Sequence, residues 1–133
     1  MAEYIAKDYV KKNNLNNIEI KSRGTASYHE GEFMHKGTHT ILEKYNIDHL
    51  DFKSKQITKN DYIESDFIFV MDDSNYDEII SRFGYNEKVI KITNFCTLGY
   101  SYVPDPWYSG NFDETYKILS NSIFNIFNKL IIK

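Results

Sequence analysis

DFIFVMD, residues 66–72, sets five consecutive apolar side chains between two aspartates. An alternating pattern would mark a strand with one wet face, whereas an unbroken apolar run of this length fits a strand covered on both faces, as in a parallel sheet. Directly after it, SNYD (74–77) has the S/T-x-x-D form of a capping box, and so does TKND (58–61) ahead of it. The run is therefore read as a strand between two helices. KVIKIT (88–93) is a second strand candidate, and the alternation in IEIKS (18–22) predicts a third.

Helical periodicity fills the intervals. AEYIAKDYVKKNN (2–14) sets Ala2, Ile5, Ala6, Tyr9 and Val10 on one face, with lysines near its end where the helix dipole favours them. HKGTHTILEKYN (35–46) predicts a helix starting near Lys36 or Gly37. From Phe112 onward, Tyr116, Leu119, Ile123, Phe127 and Leu130 recur at helical intervals behind Asp113 and Glu114, which predicts a long closing helix. Helices alternating with short strands specify an α/β sandwich, a parallel sheet with helices on both faces. The chain nevertheless opens on a helix, where such folds normally open on a strand.

At 133 residues the chain is expected to form a single domain over 1–133, and 41% hydrophobic content with 16% aromatics excludes disorder. A net charge of −3 with both signs interspersed gives no footprint for nucleic acid or an anionic membrane. Asn125, Asn128 and Lys129 interrupt the most apolar stretch, so no membrane span is expected. The single Cys96 permits no internal disulfide, and no signal peptide precedes the first helix; a cytoplasmic location is expected. His35 and His39 stand i, i+4 on a predicted helix, but no third ligand of convincing spacing follows, so no metal is expected there. His29 and His49 are expected to be solvated loop residues.

The chemistry concentrates in YVPDPWYSGNF (102–112). Both prolines of the chain flank Asp105, fixing neighbouring φ angles and restricting Asp105 towards extended backbone. A carboxyl held in this way suits proton donation, because misplacing a donor by about 1 Å can cost on the order of a hundredfold. Trp107 and Tyr108 follow at once and offer an aromatic wall for a flat substrate. On its own the segment reads first as a surface turn with an aromatic plug.

Several segments together narrow the choice. SRGT (22–25) with Tyr28 beyond it, KQIT (55–58), MDDSN (71–75) and VPDPWY (103–108) occur in this order, with MAE at the start and FDETY (112–116) near the end. In register, they resemble the low-molecular-weight protein tyrosine phosphatases over essentially the whole chain. The resemblance implies a three-layer sandwich around a four-stranded parallel sheet. It makes Asp105 the general acid for the leaving phenolic oxygen, and Trp107, Tyr108 and Tyr28 the walls of the substrate slot. Ser22 would support the phosphate-binding loop, while Ser74 and Asn75 would only cap a helix. The substrate would be a phosphotyrosine-containing protein or a small aryl phosphate, with no metal or other cofactor. A phenolate of pKa ~10 leaves far more readily when protonated, and a dianionic phosphate favours a protonated acid beside it.

One departure is central. The family's nucleophile lies in a C-x5-R-S/T loop that runs into a PMAE-like segment, and this sequence begins at MAE. Cys96 has Tyr102 six residues later, and neither Arg23 nor Arg82 completes the frame. The expectation is a chain truncated before its first helix, lacking the loop and the central first strand of the sheet. Such a gap would leave unpaired backbone groups on both sides and a chain that is marginally stable, oligomeric or prone to aggregate. The alternative is a catalytically inactive phosphatase-like binding or regulatory domain. Arsenate reduction would call for further redox cysteines. Phe52, near where relatives often carry a supporting His, and Lys55, for the commoner Arg before QIT, are smaller departures.

Overall fold

The computed structural model describes residues 1–131. The 66–72 run delivers β1, Ile68–Val70, and the 88–93 segment delivers β2, Val89–Lys91, paired parallel with Ile68 opposite Val89 and Val70 opposite Lys91. Between them, helix α4, Asp73–Phe83, makes the crossover. Alternate residues of β1 face opposite ways. Ile68 and Val70 pack with Ile79 and Val89, while Phe69 joins the larger core on the other face. Both faces are thus covered, as the unbroken apolar run requires.

The larger core lies under α1 (Ala2–Lys12), α2 (Lys36–Lys44) and α6 (Phe112–Ile126). α6 contributes Ile118, Leu119, Ile123 and Ile126, and continues into a π-helical turn over Phe127–Ile131. Tyr9 of α1 stacks on Phe127 with ring centroids 4.6 Å apart. The short helix α3 (Lys59–Glu64) belongs to the opposite face, where Tyr62 joins the smaller cluster. Tyr4, outside the apolar face read from the sequence, is also buried, and its hydroxyl donates to Asp51 at 2.9 Å. Burial first, and then this hydrogen bond, push its phenol well above the ordinary tyrosine range.

Three expectations need correction. IEIKS forms no strand: Ile18 and Ile20 are partly buried against the core and Glu19 and Lys21 are exposed, so the period-two burial survives without a ladder. Among the described residues the ladder is confined to β1 and β2, with one isolated parallel bridge between Gly24 and Gln56, where the family's four-stranded sheet without its first strand would have three. SNYD does not cap its helix. Asp72, in extended backbone, accepts from the Asn75 N–H at 2.7 Å, so α4 starts before Ser74 is reached. An aspartate directly after a strand is as good an N-cap as serine and comes earlier in the chain.

TKND behaves as expected. Thr58 Oγ1 accepts from the Asp61 N–H and the Asp61 carboxylate accepts from the Thr58 N–H, at 3.1 and 3.0 Å. Asp61 also takes the Arg23 Nε–H at 3.0 Å, tying the SRGT segment to α3. Burial raises the Asp61 carboxyl, but the two Thr58 donors and the Arg23 guanidinium outweigh it and hold it below its ordinary value. The sign follows: with a folded pKa below the unfolded one, this stabilisation is complete above the unfolded value and is lost as pH falls through the folded one. Asp61→Asn should therefore flatten part of the acid limb of stability, and Thr58→Ala should cost about 1 kcal/mol. Urea unfolding at neutral and acid pH measures both; an acid limb unchanged in the Asn variant would exclude Asp61 as a contributor.

Candidate active site

The segment carrying Asp105 is anchored at the carboxyl ends of the two strands. The Val103 N–H donates to the Met71 carbonyl just past β1 at 2.9 Å, and Val103 is buried. From the end of β2, Lys91 Nζ donates to the Ser101 carbonyl at 2.9 Å and pairs with Asp73 at 3.0 Å. In open α/β sheets this is the edge where ligands bind.

Asp105 then caps a single helical turn, α5, Pro106–Ser109. Its φ and ψ are −70° and 114°, extended as a residue before proline must be, and Pro106 occupies the first helical position, where a missing N–H costs nothing. One carboxylate oxygen, Oδ1, accepts from the Trp107 N–H at 2.9 Å. The backbone carbonyl of Asp105 accepts from Tyr108 and Ser109. Gly110, at φ 71°, ends the turn in the left-handed region that glycine adopts without strain. The two prolines, the cap and the glycine leave Asp105 little conformational freedom, while its side chain remains exposed.

Trp107 and Tyr108 project from this turn at 65% and 85% exposure. Trp107 has a neighbour that the sequence did not single out. The His35 ring meets it edge-on at 4.9 Å and stacks on Phe112 at 5.0 Å, while its Nδ1 accepts the Gly37 N–H and caps α2. Close approach at Gly37 makes this possible: a Cβ there would lie 2.3 Å from the Phe112 ring. A histidine at an N-cap position followed by a glycine two residues later is the signal that locates this support. It is weak without the knowledge that Phe112 packs there.

Tyr28 stands on a separate loop, 88% exposed. Backbone bonds pin that loop at both ends to residues 54–57: Gly24 N–H to the Lys55 carbonyl and Ile57 N–H to the Gly24 carbonyl, both 2.8 Å, and Gly31 N–H to the Ser54 carbonyl at 2.6 Å. Arg82 adds a bond to the Thr25 carbonyl. Among the described residues no aromatic contact joins Tyr28 to Trp107 or Tyr108. Ser22 turns towards α1, its hydroxyl donating to Glu3 Oε1 at 2.5 Å. Phe52 meets Tyr4 edge-on at 6.0 Å within the core. Cys96 packs against the core beside the 3-10 turn Ile92–Phe95, its sulfur accepting from the Leu98 N–H.

The histidines divide differently from expectation. His29 is exposed and paired with Glu32 at 2.7 Å, but His49 is only 2% exposed rather than solvated. Burial follows from its hydrogen bonds: Nδ1 lies 2.6 Å from the Ile47 carbonyl and Nε2 lies 2.6 Å from His39 Nδ1. No helix of the described residues is long and apolar enough to cross a membrane.

Parallel strands joined by a helical crossover, with helices on both faces and a proline-flanked carboxyl and two exposed rings near the strand ends, define an α/β sandwich. The family model described as "Low molecular weight phosphotyrosine protein phosphatase" matches residues 1–133, and the chain belongs to that family. A low molecular weight protein-tyrosine-phosphatase of Staphylococcus saprophyticus is 35% identical over 133 residues, spanning 98% of this chain and 84% of the relative. Among solved structures, YfkJ of Bacillus subtilis superposes with a TM-score of 0.92 at 26% identity, covering 97% of this chain and 84% of that one. The low molecular weight protein tyrosine phosphatase of Campylobacter jejuni is 48% identical with a TM-score of 0.75, covering 98% and 86%.

Proposed function

We propose that the protein hydrolyses phosphotyrosine and other aryl phosphate monoesters, with Asp105 as the general acid. The observation that carries this reading is the way Asp105 is held: between two prolines, capping α5, with an exposed indole and phenol beside it at the carboxyl ends of the strands. Trp107, Tyr108 and Tyr28 are the aromatic residues offered to the substrate ring. Ser22 acts at one remove, through Glu3 in the first turn of α1.

The reaction divides into two steps. A thiolate attacks phosphorus, the S–P bond forms as the P–O bond to the phenol breaks, and the Asp105 proton passes to the departing oxygen. Water then cleaves the S–P bond, giving up a proton to the Asp105 carboxylate and releasing inorganic phosphate. The family's thiolate belongs to a Cys-x5-Arg loop, a pattern that does not occur within these 133 residues. Cys96, packed on the core with Tyr102 six residues on, is not its counterpart.

The test is the native protein taken from its source, with its intact mass and its turnover of phosphotyrosine measured together. A mass above 15.7 kDa, a Cys-x5-Arg peptide in its digest and phosphate release would support the assignment. A mass equal to that of this chain and no phosphate release would overturn it in favour of a non-catalytic binding domain.

A further inference from the structure

Three side chains that the phosphatase chemistry does not use converge beside α2. His39 and Glu43 lie i, i+4 on that helix, and the buried His49 approaches from the loop that follows it. His39 Nδ1 is 2.6 Å from His49 Nε2, His49 Nε2 is 3.6 Å from Glu43 Oε1, and the donor atoms of all three lie within 4.8 Å of one another. We infer that His39, Glu43 and His49 form a binding site for a divalent cation of the zinc class.

The orientation of His49 carries the inference. Its Nδ1 faces the Ile47 carbonyl, which can only accept, so the ring proton resides on Nδ1 and the lone pair is on Nε2, aimed at the other two donors. A carbonyl that fixes the tautomer of a buried imidazole is the outer-shell arrangement found behind metal-bound histidines. The surroundings are also those of a built site. Phe33 stacks on His49 and meets His39 edge-on, with centroids at 6.3 and 5.6 Å, and Tyr4 closes a further side of His49 at 6.5 Å.

Without a cation, the short N···N contact is a hydrogen bond from one imidazole to the other. With one, both rings present lone pairs, and ligand distances of about 2.0–2.1 Å in tetrahedral geometry would set the two nitrogens about 3.3 Å apart. His39 is half-buried at the helix surface and is the side chain placed to move outward. Two imidazoles and one carboxylate suit zinc, nickel or copper and do not suit magnesium, which demands oxygen ligands. The exposed side of Glu43 leaves a fourth position for water. The bound ion would clip α2 to the loop after it, one turn beyond the His35 ring that meets Trp107.

Zinc chloride titrated calorimetrically into the metal-stripped protein tests this, with thermal melting in parallel. One equivalent should bind and raise the melting temperature, and magnesium chloride should do neither. His39→Ala and Glu43→Gln should each weaken zinc binding at least tenfold, and Glu43→Gln, which keeps the His39–His49 hydrogen bond, should melt near the parent without metal. His29→Ala, at the exposed His29–Glu32 pair, should bind as the parent does. An absence of zinc binding, or undiminished binding in His39→Ala, would overturn the site and leave a plain histidine–histidine hydrogen bond.

Discussion

Phosphotyrosine turnover by the Asp105→Asn enzyme is expected to fall by about 10²- to 10⁴-fold, the range lost with a positioned general acid. The amide still accepts the Trp107 N–H through its oxygen, so the cap and the aromatic wall should stand unchanged. What disappears is the proton. A tyrosyl oxygen leaving unprotonated carries the full charge of a phenolate of pKa ~10, whereas a nitrophenol tolerates that charge. The loss in kcat should therefore grow along a series of aryl phosphates from acidic to weakly acidic phenols, with little change in KM. An equal loss across the series would remove Asp105 from proton transfer.

The largest stability effect is expected from Leu42→Ala. Leu42, on α2, is fully buried, at 0% exposure, within the core shared by α1 and α6. Truncating it should cost about 2–5 kcal/mol, the transfer of three carbons plus the cavity left behind. For a domain whose whole stability is about 5–15 kcal/mol, that is a large share. The midpoint of denaturant unfolding should fall with an unchanged slope, since the surface exposed on unfolding stays nearly the same. Trp107 is the sole tryptophan, and its His35 neighbour sits at the head of the same helix, so fluorescence should follow the same transition as far-ultraviolet dichroism. A loss below about 1 kcal/mol would mean that the core relaxes into the vacated space.

How far the sequence went depended on whether a signal was local. The unbroken apolar run at 67–71, the Thr58 box and the periodicity from Phe112 to Leu130 are each fixed by neighbours a few residues away, and each appears in the structure. Pro104 and Pro106 likewise act on the adjoining backbone, so the clamp on Asp105 was legible without any fold. IEIKS shows the opposite case. Alternation predicts which side chains turn inward, and Ile18 and Ile20 do, but a strand also needs a partner ladder, which no pattern within the segment can supply. His49 failed for a related reason. Its burial depends on the Ile47 carbonyl, on His39 ten residues earlier and on the rings of Tyr4 and Phe33, contacts set only once α1 and α2 are packed. His35 illustrates the same dependence, since its role beside Trp107 is decided by where Phe112 comes to lie.

The stacking of Tyr9 on Phe127 has a temporal side. Part of the packing of α1 waits for a partner made far later in the chain, and α6 also supplies the centre of the main core. While the chain emerges from the ribosome, Tyr9 stays without its stacking partner until α6 has been made. Contacts of such long sequence separation form slowly, because the intervening chain must be closed into a loop first. The nascent chain, more than the finished protein, is the species on which chaperones have the longest opportunity to act.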